Sequence, residues 1–138
     1  MAEKESYEIR QTIIIRKDLN MRKGKMVSMG SHASMLSLVS QLHIDVIDNK
    51  AHIGTVIDID SPLALWLSGS FAKITLGCNS EEELFELFNK AKSMNIPVVM
   101  ITDNGTTEFN GVKTNTAIAI GPYHKEEIDK ITKDLKLL

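Results

Sequence analysis

The residue pattern predicts a single α/β domain built on a four-stranded mixed sheet with helices on both faces, a three-layer α/β/α arrangement. Three observations carry that expectation. Short apolar runs at 11–16, 71–78, 97–102 and 116–121 have strand length, and several are rich in β-branched residues. Amphipathic stretches of helical period lie between or after these runs, which argues for a sheet covered on both faces. The length of 138 residues fits one domain and is enough to bury a core without disulfides or metals.

The elements follow in order. QTIIIR, residues 11–16, suits a buried strand. KDLNMRKGK is charged, contains glycine and reads as a loop, after which KMVSMGSHASMLSLVSQL repeats its apolar residues at helical spacing over about four turns. Residues 43–60 suggest two β-like pieces around an Asp48-Asn49 turn, either a hairpin or an irregular excursion. Ser61-Pro62 resembles a helix start, with serine as cap and proline at the first position. FAKITLGC, 71–78, is the second main strand. Ser80 and Glu83 then form a capping box at the head of an acidic first turn, which suits the helix dipole. Asn95-Ile96-Pro97 ends that helix, PVVMIT is the third strand, and TAIAIG at 116–121 is the fourth. Lys125–Leu135 is a final amphipathic helix.

Composition narrows the function classes. Hydrophobic residues make up 43% and charged residues 25%, an ordinary globular balance that argues against whole-chain disorder. The single cysteine, Cys78, cannot form an internal disulfide and has no cysteine partners for a zinc site; it reads as a small apolar residue of a strand in a reducing compartment. No apolar run is long enough to span a bilayer, and the polar N-terminus lacks the core of a secretory signal, so a soluble cytoplasmic protein is expected. The formal net charge is −2, so binding to nucleic acid has to come from a local patch. Arg16, Lys17, Arg22, Lys23 and Lys25 fall within ten residues and form the one candidate patch. No Walker loop and no dinucleotide glycine fingerprint occurs.

Three segments together resemble the type 2 peptidyl-tRNA hydrolases. RKDLNMRKGKMVSMGSHA, residues 16–33, is similar to the family's R-x-D-L-x-M-x-x-G-K followed by A-A-Q-x-x-H-A. SEEELFELFNKAKSMNIPVVMITDNGTTEF, residues 80–109, is similar to S-E-E-E-L and I-x-D-A-G-x-T. TAIAIGPYHKEEIDKITKDLKLL, residues 116–138, resembles the family's ending. The resemblance implies a four-stranded mixed sheet, a homodimer, and hydrolysis of the ester between a peptide and the ribose of tRNA. It implies no metal and no cofactor.

The same resemblance supplies candidate residues. Lys23 and Lys25 match the basic pair before the first helix. Lys23 is assigned to the catalytic set with His32, Asp103, Thr107 and Thr116, while Lys25 joins Arg16, Lys17 and Arg22 as a tRNA contact. Asp103 stands at the end of a strand, where open α/β sheets place ligands, and is expected to orient water or a ribose hydroxyl. Hydroxyls of Thr107 and Thr116 are expected to position water or donate to the oxyanion, with Thr114 as the alternative to Thr116. Without the resemblance, each residue has a plainer reading as a solvated lysine, a packed histidine, or a turn or strand former.

Departures from the pattern cluster around these positions. Met29 replaces the family glutamine, Thr102 replaces the usual arginine before the aspartate, and Asn104 replaces alanine in D-A-G. Residues 42–61 read as an insertion within the single domain. The alternative to a hydrolase is an inactive relative of the same fold that binds tRNA, nucleotide or a protein partner.

Overall fold

A computed structural model describes residues 8–105 and 108–138. In chain order the strands are β1 (Ile9–Arg16), β2 (His43–Ile47), β3 (Lys50–Gly54), β4 (Lys73–Cys78), β5 (Val98–Asp103), β6 (Thr114–His124) and β7 (Lys136–Leu137). The helices are α1 (Lys23–Val39), α2 (Pro62–Ser68), α3 (Glu81–Ser93) and α4 (Lys125–Thr132).

The main sheet has the order β5-β6-β1-β4-β7. β1 pairs parallel with β4 and antiparallel with β6, and β5 pairs antiparallel with β6. The C-terminal ends of β1, β4 and β5 therefore share one edge of the sheet with the start of β6. The four expected strands are all present, and the sheet is mixed. It has a fifth strand that the pattern analysis did not contain: Leu137 and Lys136 pair with Leu76 and Gly77 of β4. A two-residue strand carries no readable period, so only its neighbour defines it.

Side chains on β1 alternate between the two faces of the sheet. Ile14 joins Leu76, Ile118 and Ile120 against Leu84, Leu87 and Ala91 of α3 and Ile128 and Ile131 of α4. Ile13 and Ile15 point the other way, against Met29 and Ala33 of α1. Small Ala117 and Ala119 of β6 complete that layer. Leu63, Leu65 and Trp66 of α2 cluster with Ile9 on the α1 side. Helices thus cover both faces, as the sequence predicts. Cys78 is buried in the sheet, and burial pushes its thiol up to about 11, which keeps it protonated and unreactive at neutral pH.

Local chemistry accounts for the helix ends. The Ser80 hydroxyl accepts from the Glu83 N–H at 3.0 Å, and Glu83 accepts from the Asn79 N–H at 2.9 Å. Ser61 occupies the cap of α2, but its hydroxyl donates to the carbonyl of Asp58 and leaves the helix N–H groups alone. The last helix stops at Thr132, three residues short of the expected Leu135, and the Leu135 N–H closes a turn on the Thr132 carbonyl.

Residues 43–54 form an antiparallel hairpin with Ile44 opposite Ile53 and Asp45 opposite His52. Asp48 and Asn49 both take positive φ, 53° and 61°, as a two-residue turn of type I′ requires. The hairpin is exposed along both strands.

The core contact that binds α3 to the sheet supplies a test. Leu84 is fully buried within the α3–α4 layer. Leu84→Ala is expected to cost about 2–5 kcal/mol, read as a lower urea midpoint at unchanged m-value.

Candidate functional site

The site grows from the shared strand edge. β5 delivers Asp103 at its C-terminal end, and α1 descends from the same edge across the sheet. On α1, Lys25, Met29 and His32 stand at i, i+4 and i+7, one stripe of the helix. That stripe faces β5 and β6.

Lys25 and Asp103 meet there. The Lys25 ammonium donates to Asp103 Oδ1 at 2.9 Å, and each side chain is only 12% exposed. The Gly105 N–H donates to the second carboxylate oxygen, Oδ2, at 2.9 Å. Gly105 holds a φ of +85°, and a Cβ there would lie 2.4 Å from the Val112 carbonyl oxygen, so the turn that presents this N–H demands glycine. The Lys25 ammonium also lies 5.8 Å from the centroid of the Phe109 ring.

The bond from Lys25 holds the Asp103 carboxyl below the ordinary carboxylate range; partial burial opposes this, and the Gly105 N–H and the charge of His32 assist it. Asp103 is therefore an anion throughout the neutral range. His32 is exposed, which sets aside the reading of a packed histidine.

Thr116 is fully buried at the start of β6, with its hydroxyl 3.2 Å from Met29 Sδ and 3.5 Å from the Ile101 carbonyl. Thr114 is half-buried, and its hydroxyl donates to the Val112 carbonyl. The position of the family glutamine is thus filled by a buried thioether that offers Thr116 only a weak acceptor. Thr107 lies outside the described residues.

The remaining basic residues divide. Lys17, Arg22 and Lys23 are exposed, with Arg22 3.9 Å from Glu108 at the rim. Arg16 is different. Its side chain is 10% exposed and donates to both carboxylate oxygens of Asp18, at 3.1 and 2.6 Å, and to the Asn115 carbonyl at 3.0 Å; Glu81 lies 3.5 Å away. The bond to Asp18 raises its pKa, so the guanidinium stays charged and acts as a clamp between the β1–α1 loop, β6 and α3. The lysine pair expected before the helix lies within its first turn, because α1 begins at Lys23, and of the two the structure brings Lys25 to Asp103. Lys23 faces the opposite flank of α1, beside Ile15 and Met26. Residues two apart on a helix point about 200° apart, a relation visible in the sequence once the helix start is known.

A family model described as peptidyl-tRNA hydrolase PTH2 matches residues 9–138. The chain belongs to that family. A peptidyl-tRNA hydrolase of Methanocaldococcus jannaschii is 38% identical over 130 residues, covering 94% of this chain and all of the archaeal protein. The probable peptidyl-tRNA hydrolase 2 of Dictyostelium discoideum is 35% identical over 98% of this chain and 57% of its own length. The peptidyl-tRNA hydrolase 2 of Saccharomyces cerevisiae is 33% identical over 94% of this chain and 58% of its own length. Met29 lies buried against Thr116 beside the Lys25–Asp103 site, and the exposed Thr102 hydroxyl donates to the Asn115 side-chain oxygen at 2.6 Å. Among the described residues, no helix is long and apolar enough to cross a membrane, and no group of three or more histidine, cysteine or acidic residues is arranged to hold a metal ion.

The lowered pKa gives a signed expectation. A carboxyl with a depressed pKa stabilises the fold above its unfolded pKa, and that stabilisation disappears as pH falls through the depressed value. Side-chain NMR titration of Asp103 is expected to give a midpoint below that of free aspartate, and Lys25→Met is expected to return it upward.

Proposed function

We propose that this chain hydrolyses the ester between a peptide, or an N-blocked amino acid, and the ribose of tRNA, releasing free tRNA, with Lys25 and Asp103 at the reacting centre. The observation that carries the assignment of the centre is the Lys25–Asp103 ion pair at the strand ends, largely closed from water and 5.8 Å from the centre of the Phe109 ring.

The reaction adds water across the acyl C–O bond. Water attacks the acyl carbon, negative charge gathers on the carbonyl oxygen, and the ribose oxygen departs with a proton. The Lys25 ammonium is the donor for that oxyanion. It is fixed by Asp103 and by its low exposure, so little reorganisation is needed as charge develops. Asp103 has too low a pKa to be a strong base. Its part is to aim Lys25 and to accept a hydrogen bond from the attacking water. Thr116 supports the wall of the site through Met29. His32, exposed at the outer end of the stripe, meets the substrate there.

Lys17, Arg22 and Lys23 make the tRNA contact, and the Arg16 clamp holds the loop that displays them. A net charge of −2 makes this local patch the source of phosphate attraction. A homodimer is supported by the family resemblance, and a cytoplasmic setting by the nature of the substrate. A single domain is supported by one sheet with cores on both faces, the hairpin at 43–54 being an excursion from it.

Three kinetic expectations follow from these roles. Lys25→Ala is expected to lower kcat for hydrolysis of N-acetyl-aminoacyl-tRNA by about 10²–10³. Lys23→Ala is expected to leave kcat near the parent value, raise KM, and reduce the salt dependence of tRNA binding by about one unit of slope. Equal loss of kcat in both would remove the distinction between a reacting and a docking lysine. Met29→Gln restores a hydrogen-bonding side chain beside Thr116. It is expected to raise kcat/KM about fivefold, the worth of one hydrogen bond of about 1 kcal/mol, and a folded variant with unchanged rate would free that position of any limiting role.

A further inference from the structure

A concavity opens on the flank of α1 opposite the Lys25–Asp103 pair. It has a volume of about 730 Å³ and lies over the β1–β4–β7 side of the sheet, which α1 leaves uncovered. Its floor is Ile13 and Ile15, and its α1 wall carries Met26, Val27, Ser31 and Ser34. Thr75 and Leu138 close the far side. Gly30 deepens the floor: a Cβ at that position would reach 3.7 Å from Ile15 and 3.9 Å from Ile13, the contact distance of a side chain that is missing.

The groove carries one lysine at each end. Lys23 stands at its mouth, at the strand edge that also carries Asp103. Lys73, at the opposite end, contributes its stem; its ammonium donates to the Phe71 carbonyl and lies over the Trp66 ring. An apolar floor with a lone lysine at each end is a poor match for a polynucleotide backbone, which needs a run of positive charges. Hydroxyls at Ser31, Ser34 and Thr75 beside aliphatic side chains suit a peptide, whose backbone bonds to hydroxyls and whose side chains seek the floor.

Dimensions agree. From Lys23 to Ser34 the α1 wall runs roughly 16 Å at 1.5 Å per residue, which accepts about five residues of extended chain at about 3.3 Å each. The Lys25–Asp103 pair is on the far flank of the same helix turn. A chain leaving that pair must round the head of a helix about 10 Å across, which takes about three extended residues.

We infer that this groove receives the peptide of the substrate, from about the fourth residue upstream of the ester, and selects for apolar side chains there. The inference rests on the hydrolase reading for its point of origin. A single N-blocked aminoacyl group is too short to enter the groove, whereas an octapeptide reaches well into it.

The test uses the full chain, its Val27→Glu variant and its Ser31→Trp variant, both changes at exposed helix positions outside the reacting and tRNA-binding sets. Substrates are N-acetyl-aminoacyl-tRNA and two octapeptidyl-tRNAs, one leucine-rich and one serine-rich at the fourth to seventh residues. The expected parent result is a kcat/KM about tenfold higher for the leucine-rich substrate than for the serine-rich one. Both variants are expected to erase that preference and to leave N-acetyl-aminoacyl-tRNA hydrolysis unchanged. Equal kcat/KM for the two octapeptides in the parent, or equal loss on all substrates in folded variants, overturns the groove. Binding of the same octapeptides linked to tRNA through a stable amide is measured in parallel. A leucine preference in binding that Val27→Glu removes, without any hydrolysis by the parent, upholds the groove and refutes the hydrolase reading. Binding without such a preference refutes the groove whatever the rates.

Discussion

Strand β1 is the constraint on which the rest of the molecule depends. It is bonded on both sides, parallel to β4 and antiparallel to β6, and it is packed on both faces. A strand so placed exposes no edge and tolerates no slip, because a shift of one residue would exchange Ile14 with Ile13 and Ile15 between two different cores. Its direction decides where β1, β4 and β5 all end. That shared end is where the chain must turn back as α1, and there a basic loop, an aspartate and a buried threonine come together.

At that edge, electrostatics and packing act in the same direction. Taking a carboxylate and an ammonium partly out of water carries a desolvation cost. The Lys25–Asp103 bond and the Gly105 N–H offset it, which is why the Asp103 carboxyl titrates low despite its shelter. Asp103 is thus kept charged by its partners and kept in place by Gly105. Met29 lies in the same stripe as Lys25 and belongs to the apolar layer with Ala33 and Ile15. Met29 has been absorbed into the core, so one wall of the site is apolar.

The basic residues show how one patch serves two purposes. Arg16 is the most basic-looking start of the cluster, yet its planar guanidinium is spent on Asp18, Glu81 and a carbonyl. A bidentate clamp uses the fixed fork of arginine in a way that lysine cannot. Lys17, Arg22 and Lys23 are exposed, with their charges in water, where long-range attraction to phosphate acts and salt screens it.

Much of this architecture was legible in the residues themselves. Four strands, the capping box at Ser80 and Glu83, the Asp48-Asn49 turn and the buried cysteine all follow from local rules, because alternation, capping and turn chemistry involve neighbours within a few residues. Family motifs placed Asp103 at a strand end, but set the lysines ahead of a helix that in fact begins at Lys23 and contains both. What the sequence alone did not decide was which lysine meets the aspartate, that Arg16 is buried, that Lys136–Leu137 forms a strand, and that the flank of α1 over β4 lies open. Each depends on groups far apart in the chain: Lys25 and Asp103 are 78 residues apart, Arg16 and Asn115 are 99 apart. Such partners are set by helix phase and strand order, and these are fixed only when the two cores on either side of β1 close together.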